Sequence, residues 1–306
     1  MAQFGMPVLY ALLVWWLSTG AIIYLDSRPR PTFRWSMLGA TVLLAASLYG
    51  LVASSDDATI GGAYVGFSCG ILIWAWLEMS FLLGFLTGPR KHACPAGCAG
   101  WHHFGHAIQA VLYHELAILL GAALVVTATW GQPNQIGTWT FLILWGMRQS
   151  AKLNMFLGVR NLSEELFPAH LQYLTSFLRK KRMNLLFPVS VTASTVIGVL
   201  VLESGLAAEA EPFMQTGLTF LATLVALAIL EHWFLVLPLP ATALWNWGKR
   251  SRAAGEDIAG APESRGAVLA VARQPGRSVR AGALAAHRAR SLPGALRARA
   301  RRYRAP

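Results

Sequence analysis

Long apolar blocks alternate with short polar connections along the 306 residues of this chain. Each block is about 20 residues long, which is the length of a helix that crosses a bilayer. Such runs indicate membrane-spanning helices and not the core elements of a water-soluble domain. We therefore predict an all-α integral membrane protein, a bundle of about seven transmembrane helices. The predicted spans are Met6–Leu25, Trp35–Ala53, Ile60–Leu86, His106–Trp130, Gly137–Leu157, Leu185–Leu202 and Met214–Leu239.

The charges in the connections predict an orientation. The first, third and fifth connections are basic and contain, for example, Arg28, Arg90 and Arg160. The second contains Asp56 and no base, the fourth has no charge, and the sixth has only glutamates. Basic loops stay on the cytoplasmic side of a membrane. We therefore predict a periplasmic N-terminus and a cytoplasmic C-terminus in a bacterial inner or intracytoplasmic membrane.

Composition agrees with this prediction. Hydrophobic residues make up 55% of the chain and charged residues 13%, whereas soluble domains carry about 25% charged residues. The net charge of +12 is concentrated in the tail from Lys249, where Lys249 and thirteen arginines outnumber three acids. A basic tail beside a membrane favours anionic lipid over nucleic acid as its partner. We predict a transmembrane domain at 1–248 and a disordered, Ala/Arg-rich cytoplasmic tail at 249–306.

The fifth connection contains an amphipathic segment at about 162–182. Pro168 is suited to the start of a helix. Leu171, Leu174 and Phe177 then recur at helical spacing before the basic run 179–182. The segment is either a helix that lies on the inner leaflet or a plain connecting helix with a solvated basic end.

Ionisable residues in four predicted spans fall in one layer, roughly 10–15 Å from the cytoplasmic end by helical rise. Charges inside a bilayer are costly and usually face the interior of a bundle. One hypothesis makes the acids and imidazoles ligands of iron, manganese or zinc. A second pairs the acids with the cations Arg148 and Lys152, and a third is a proton path or a pigment or quinone pocket. The candidate metal ligands are Glu78, His114, Glu115, Glu231 and His232.

Histidines also cluster at the inner end of the fourth predicted span. His103, His106 and His114 share one helical face, and a neutral imidazole can ligate the central metal of haem or bacteriochlorophyll. The alternative is a set of hydrogen-bonded interface histidines. Just before them, the thiols and imidazoles have a spacing that zinc could use. One C-x₃-C pair is a weaker signal than two C-x-x-C pairs, so we favour a tight loop with incidental thiols. These residues are His92, Cys94, Cys98, His102 and His103.

Several motifs are missing from the sequence. It contains no P-loop, no G-x-S-x-G and no dinucleotide fingerprint. The last predicted span has no lysine for a retinal Schiff base. These absences weigh against a nucleotide-dependent enzyme, a serine hydrolase and a retinal protein.

Three strings are similar to a known family. They are GPRK at Gly88–Lys91, LYHELAI at Leu112–Ile118 and KLNMFLGVRNLSEELFPAHLQYL at Lys152–Leu174. They resemble the PuhE family of photosynthetic complex assembly proteins, which are encoded near the reaction-centre H subunit in purple phototrophic bacteria. The resemblance covers roughly residues 5–245 and supplies no catalytic residues. It implies a role in building or regulating the light-harvesting 1–reaction-centre complex, or in its bacteriochlorophyll supply.

Our leading hypothesis is a non-catalytic assembly or regulatory factor that contacts light-harvesting 1 and reaction-centre subunits within the bilayer. The first alternative is a membrane metalloenzyme that acts on a pigment precursor, a quinone or a lipid. The second is a proton-coupled transporter. A bound transition metal or bacteriochlorophyll would distinguish these hypotheses.

Overall fold

The computed structural model describes residues 2–162, 164, 167–207 and 211–238. Within these residues the chain is helical, and the single β-type pairing is an isolated bridge between Val159 and Lys180. The predicted all-α fold is therefore confirmed. The long helices are α1 Ala2–Asp26, α2 Phe33–Ala53, α3 Ile60–Leu82, α4 Gly100–Ala128, α5 Ile136–Leu157, α6 Leu186–Leu206 and α7 Pro212–Val236.

Six of these helices are long and apolar enough to cross a membrane, and the chain is thus a multi-pass membrane protein. The exception is α5, which has 22 residues and carries Arg148 and Lys152 in its second half. At about 1.5 Å per residue, α5 is about 33 Å long, comparable to a hydrocarbon core of about 30 Å. That α5 forms a seventh span stays a prediction. Its length supports this, and so do the partners of its charges described below.

Several helix boundaries differ from the prediction by a few residues, and two of these differences have a clear physical reason. Helix α4 begins at Gly100, ahead of the predicted start at His106, because its first turns are helical but too polar to be counted as an apolar block. Helix α3 ends at Leu82, before the predicted end at Leu86. There Gly84 adopts a φ of 83°, a left-handed conformation that commonly terminates a helix.

Burial divides the helices into a centre and a periphery. In α3 and α7, 56% and 50% of the residues in the apolar segment are buried, against 17% in α1, 11% in α2 and 17% in α6. The outer helices expose large apolar side chains such as Leu38, Tyr49 and Leu200. Lipid is the environment that matches this outward surface, so the bundle is embedded in a bilayer with α3 and α7 at its core.

Helices α3 and α5 approach each other through glycines. A Cβ atom on Gly70 would lie 2.7 Å from the carbonyl oxygen of Gly137, and one on Gly137 would lie 2.7 Å from that of Gly66. Small residues spaced four apart allow two membrane helices to touch along their backbones. The contact fixes the position of α5 along α3, and therefore the position of the charges that α5 carries.

The connections form two groups at opposite ends of the bundle. At one end the side chain of Asn134, between α4 and α5, donates to the carbonyls of Ser54 and Gly62 at 2.9 Å each. At the other end the backbone N–H of Cys94, between α3 and α4, donates to Ser176 Oγ at 2.9 Å. The second and fourth connections thus meet, as do the third and fifth. Which end faces the cytoplasm stays a prediction.

The segment after Pro168 forms a 3₁₀-helix, Ala169–Phe177, in the region predicted to be an amphipathic helix on the inner leaflet or a plain connecting helix. Leu171, Leu174 and Phe177 recur every three residues, which is the period of a 3₁₀-helix. All three are buried in a cluster with Phe81 of α3 and Ala110 of α4. The apolar side of the segment therefore packs on the bundle. The predicted basic tail, 249–306, lies outside the described residues.

Candidate functional site

An ion pair connects α3 to α5 inside the bundle. Arg148 Nη2 lies 2.9 Å from Glu78 Oε2 and donates a hydrogen bond to it. Glu78 is 9% exposed, and a carboxylate buried at this level would be very costly without an opposite charge. The guanidinium of Arg148 supplies that charge.

A second ion pair connects α4 to α5. Lys152 Nζ lies 2.6 Å from Glu115 Oε1, and Gln149 Nε2 donates to the other carboxylate oxygen of Glu115. Arg148 and Lys152 are one helical turn apart on α5. Successive turns of α5 therefore neutralise an acid on α3 and an acid on α4.

His114 is fully buried beside the first ion pair. Neither of its ring nitrogens has a hydrogen-bond partner in the described residues, and Oε1 of Glu78 also lacks one. His114 Nε2 lies 3.9 Å from that oxygen, while the ring packs on Phe81 with centroids 4.6 Å apart. Buried polar atoms usually find a partner, so this imidazole–carboxylate pair retains unused capacity to bind a proton, a water molecule or a cation.

The adjacent residues Glu231 and His232 point to different neighbours, as residues about 100° apart on a helix must. Glu231 Oε1 accepts a hydrogen bond from Trp15 Nε1 at 3.0 Å. His232 Nε2 lies 2.9 Å from Ser150 Oγ, and His232 Nδ1 lies 2.8 Å from the carbonyl oxygen of Ala228. A carbonyl oxygen only accepts, so Nδ1 carries the proton and Nε2 accepts from the serine. These contacts connect α7 to α1 and α5.

The predicted layer therefore consists mainly of pairs. Arg148 and Lys152 lie beside Glu78 and Glu115, and Glu78 and His114 are neighbours. Among the described residues, the five predicted metal ligands do not include three whose donor atoms converge on one point. Glu115, Glu231 and His232 are each engaged by a different partner.

A second polar cluster lies in the α3–α4 connection and the first turns of α4. Donor atoms of Cys94, Cys98 and His106 all lie within 4.8 Å of one another. His106 Nδ1 is 3.2 Å from Cys98 Sγ and 3.7 Å from Cys94 Sγ. His103 Nδ1 is 3.3 Å from Cys94 Sγ. Two of the three histidines predicted to hold a cofactor are thus beside thiols, and the third, His114, is with Glu78.

The α3–α4 connection is held in place by contacts with α4. A Cβ on Gly88 would collide with the carbonyl oxygen of Gln109 at 2.0 Å, so only glycine permits this approach of the GPRK string. The backbone N–H of Arg90 donates to the same carbonyl at 3.4 Å, and Arg90 Nη2 donates to the carbonyl of Ala93 at 3.1 Å. Cys94 is thereby positioned over the start of α4.

The acidity of the Cys94 thiol depends on its surroundings in the cluster. Partial burial raises the pKa of the Cys94 thiol, and the neighbouring Cys98 raises it further, whereas the charge of Arg90 lowers it.

Cys69, the third free cysteine, is buried on α3 and packs in a separate hydrophobic cluster with Leu51 and Ile73. The sequence spacing favoured a tight loop with incidental thiols. The alternative zinc set included His92 and His102 and left His106 out.

A basic cleft of about 500 Å³ lies at the same end of the bundle. Its lining includes Arg30, Arg34 and Lys91, together with His170 and Tyr173, and no carboxylate. Such a surface can accept an anionic group such as a phospholipid headgroup. The cleft adds a basic feature within the described residues to those that the sequence had indicated, the run 179–182 and the tail.

The fold and these sites define a class: a multi-pass α-helical membrane protein with internal ion pairs and a thiol–imidazole cluster at one end. Over residues 1–256 the sequence matches the family described as "Protein of unknown function (DUF3623)", and the chain belongs to that family. It is 37% identical over 243 residues to an "Uncharacterized 30.4 kDa protein in puhA 5'region" of Rhodobacter capsulatus. The match covers 78% of this chain and 88% of that protein. No solved structure matches the fold.

Proposed function

We propose that this chain is a PuhE-type assembly or regulatory factor for the bacterial photosynthetic apparatus. It would act on the light-harvesting 1–reaction-centre complex or on its bacteriochlorophyll supply. The observation that carries the proposal is the relative in the puhA 5′ region, which is 37% identical and aligns over most of both chains. The three strings that resemble the PuhE family support the same assignment.

The architecture is suited to a non-catalytic role of this kind. Helices α1, α2 and α6 present long apolar faces to the outside, where transmembrane subunits of a complex can pack as lipids do. Inside, α5 is ion-paired to both α3 and α4, and these pairs favour one arrangement of the core helices. A bundle with a fixed core and an apolar perimeter would offer a stable surface to pigment-protein subunits in the inner or intracytoplasmic membrane.

Deletion of the gene in its phototrophic host tests this proposal. We expect the near-infrared absorption of the light-harvesting 1–reaction-centre core to fall, and to recover when the wild-type gene is restored. A variant with an exposed charge removed at a helix end, Glu203→Ala, should restore the absorption equally well. An unchanged core complex in the deletion strain would contradict the proposal.

One observation favours the metalloenzyme alternative. The His114 imidazole and Glu78 Oε1 lie 3.9 Å apart and have no hydrogen-bond partner among the described residues. A transition metal with further ligands from substrate or water could use both. This alternative predicts a metal ion that remains after Cys94→Ser and Cys98→Ser but is lost on further change of His114→Gln. Less than about 0.2 metal ion per chain in the double serine variant would contradict it.

A further inference from the structure

We propose that Cys94, Cys98 and His106 bind a zinc ion at the end of the bundle, with His103 as the fourth ligand. The site lies outside the paired layer, and it goes beyond the assembly role proposed above. Its ligands come from the α3–α4 connection and the first two turns of α4.

The distances between the donor atoms fit the size of a zinc ion. Zinc binds sulfur at about 2.3 Å and nitrogen at about 2.0–2.1 Å in a tetrahedron, so neighbouring ligand atoms are about 3.3–3.8 Å apart. Here the sulfur–nitrogen distances are 3.2 Å for Cys98–His106, 3.7 Å for Cys94–His106 and 3.3 Å for Cys94–His103. The donor atoms of Cys94, Cys98 and His106 all lie within 4.8 Å of one another, and His103 reaches this group through Cys94. One ion would draw the four donors together, and His103 would move the most.

The backbone creates this convergence from both sides. Between the thiols, the N–H of Cys98 donates to the carbonyl of Pro95 at 3.1 Å, and Gly97 adopts a φ of 80°, a conformation that glycine accepts readily. This turn brings the two sulfurs to one side. His103 and His106 are three residues apart on α4, so their side chains share a face.

Other contacts orient the ligands before any metal arrives. The His103 ring stacks on Phe156 of α5, with centroids 5.4 Å apart and planes 26° apart. The backbone N–H of Cys94 is held by Ser176 Oγ of the 3₁₀-helix at 2.9 Å. Contacts of this kind set the direction of a ligand and raise the affinity of a metal site. The zinc would therefore fasten the connection, α4 and the 3₁₀-helix together.

The donor set selects zinc among common metals. Two thiolates and two imidazoles in tetrahedral arrangement are typical of structural zinc sites, and four protein ligands leave no open position for catalysis. The predicted orientation places this end in the reducing cytoplasm, where thiols remain available instead of forming a disulfide. The pattern is Cys94-x₃-Cys98-x₄-His103-x₂-His106.

The test uses the full-length protein purified in mild detergent, with elemental analysis of zinc and iron. We expect about one zinc per chain in the wild type, and less than about 0.2 in the double variant Cys94→Ser, Cys98→Ser and in His106→Ala. His103→Ala should weaken zinc binding by at least about tenfold. Two matched controls, Cys69→Ser and His102→Ala, should keep wild-type zinc, because these side chains are outside the convergent group.

A second measurement does not depend on how the variants fold. Metal-free wild-type protein titrated with Co²⁺ should develop the absorption of a tetrahedral thiolate site, and one equivalent of Zn²⁺ should remove it. Several results would overturn the proposal: no Co²⁺ signal, iron in place of zinc, or zinc retained by the double serine variant. The proposal would also be overturned if protein whose free thiols are alkylated directly on cell lysis contained a Cys94–Cys98 disulfide.

Discussion

The paired layer inside the bundle and the thiol–imidazole cluster at its end both use α4, but they differ in what balances their polar groups. In the layer, Glu115 of α4 pairs with Lys152 of α5, and Glu78 of α3 pairs with Arg148 of α5. In the cluster, Cys94, Cys98 and His106 converge as potential donors to a metal, and His103 contacts Cys94. The charge nearest to these groups is the guanidinium of Arg90, which lowers the pKa of the Cys94 thiol. The acids Glu78 and Glu115 are therefore balanced by cations within the chain, whereas the cluster has the chemistry of a site that takes up a cation.

The two regions also differ in the sequence separation of the residues that form them. The layer depends on helices far apart in sequence, joined by the glycine contact of α3 and α5. The candidate ligands of the cluster lie within residues 94–106, on one turn and one helix face, with supporting contacts from Phe156 and Ser176. We expect the first to govern the stability of the whole bundle and the second to govern one end of it. Four measurements, from the largest expected effect to the smallest, test this difference.

The largest effect should follow from breaking one ion pair in the layer. Glu115→Ala leaves the charge of Lys152 without its partner, and removal of one member of a fully buried pair costs about 3–5 kcal/mol. Because these two side chains are 21% and 25% exposed, we expect a loss near the lower end, about 3 kcal/mol. Reversible unfolding in mixed detergent micelles measures this loss. The double variant Glu115→Gln, Lys152→Gln should recover a large part of it, because no charge is left unpaired. If the double variant loses as much as the sum of the two single changes, the layer does not act through pairing.

Removal of the metal should have a smaller effect, restricted to the cluster. A ligand present at about 100 times its dissociation constant stabilises the folded state by about 2.7 kcal/mol. A zinc chelator should therefore lower the free energy of unfolding of the wild type by about that amount. Glu115→Ala should lose a similar increment with chelator, because its cluster is intact. Equal sensitivity of the wild type and the Cys94→Ser, Cys98→Ser variant would remove the distinction between the two regions.

Asn134, at the opposite end of the bundle, provides a control site whose contribution to stability should not depend on zinc. Asn134 is 2% exposed and donates to the carbonyls of Ser54 and Gly62. Asn134→Ala leaves these groups unpaired, which costs about 1–3 kcal/mol. This loss should be the same with and without chelator. A chelator-dependent loss at Asn134 would mean that the zinc acts on the whole bundle and not on one end.

The smallest effect on stability should come from single cysteine substitutions at exposed positions, one at each end of the bundle. Asp56 and Arg160 are exposed, so Asp56→Cys and Arg160→Cys in the Cys94→Ser, Cys98→Ser background should change stability by less than about 0.5 kcal/mol. A membrane-impermeant thiol reagent added to intact spheroplasts should label position 56 and not position 160. Label at both positions would contradict the predicted orientation and would remove the reducing environment from the cluster.

Much of the fold could be predicted from the sequence because a bilayer imposes one length and one polarity on its helices. The apolar blocks gave all seven helices. They could not give the exact ends, since the histidine-rich start of α4 is helical without being apolar. The alternating charges of the loops also required the second and fourth connections to share one end, and their contact through Asn134 agrees with this.

The partners of the polar groups were harder to predict, because they depend on which helices are neighbours. Depth alone placed Glu78, Glu115 and Arg148 in one layer, but it could not determine which acid meets which base. One signal was missed: Gly66 and Gly70 have the spacing of a close helix contact, and Gly137 faces them. For the cluster, a helical-wheel projection of α4 that starts at the C-x₃-C turn would have placed His106, and not His102, in the candidate ligand set.

The glycine contact also restricts how this protein can move. Arg148 and Lys152 are one turn apart, about 5.4 Å along α5. Sliding α5 by one turn against α3 and α4 would separate Arg148 from Glu78 and Lys152 from Glu115. Such a slide is thus blocked by electrostatics as well as by backbone contact. We therefore expect any conformational change to move the outer helices around a core that keeps this register.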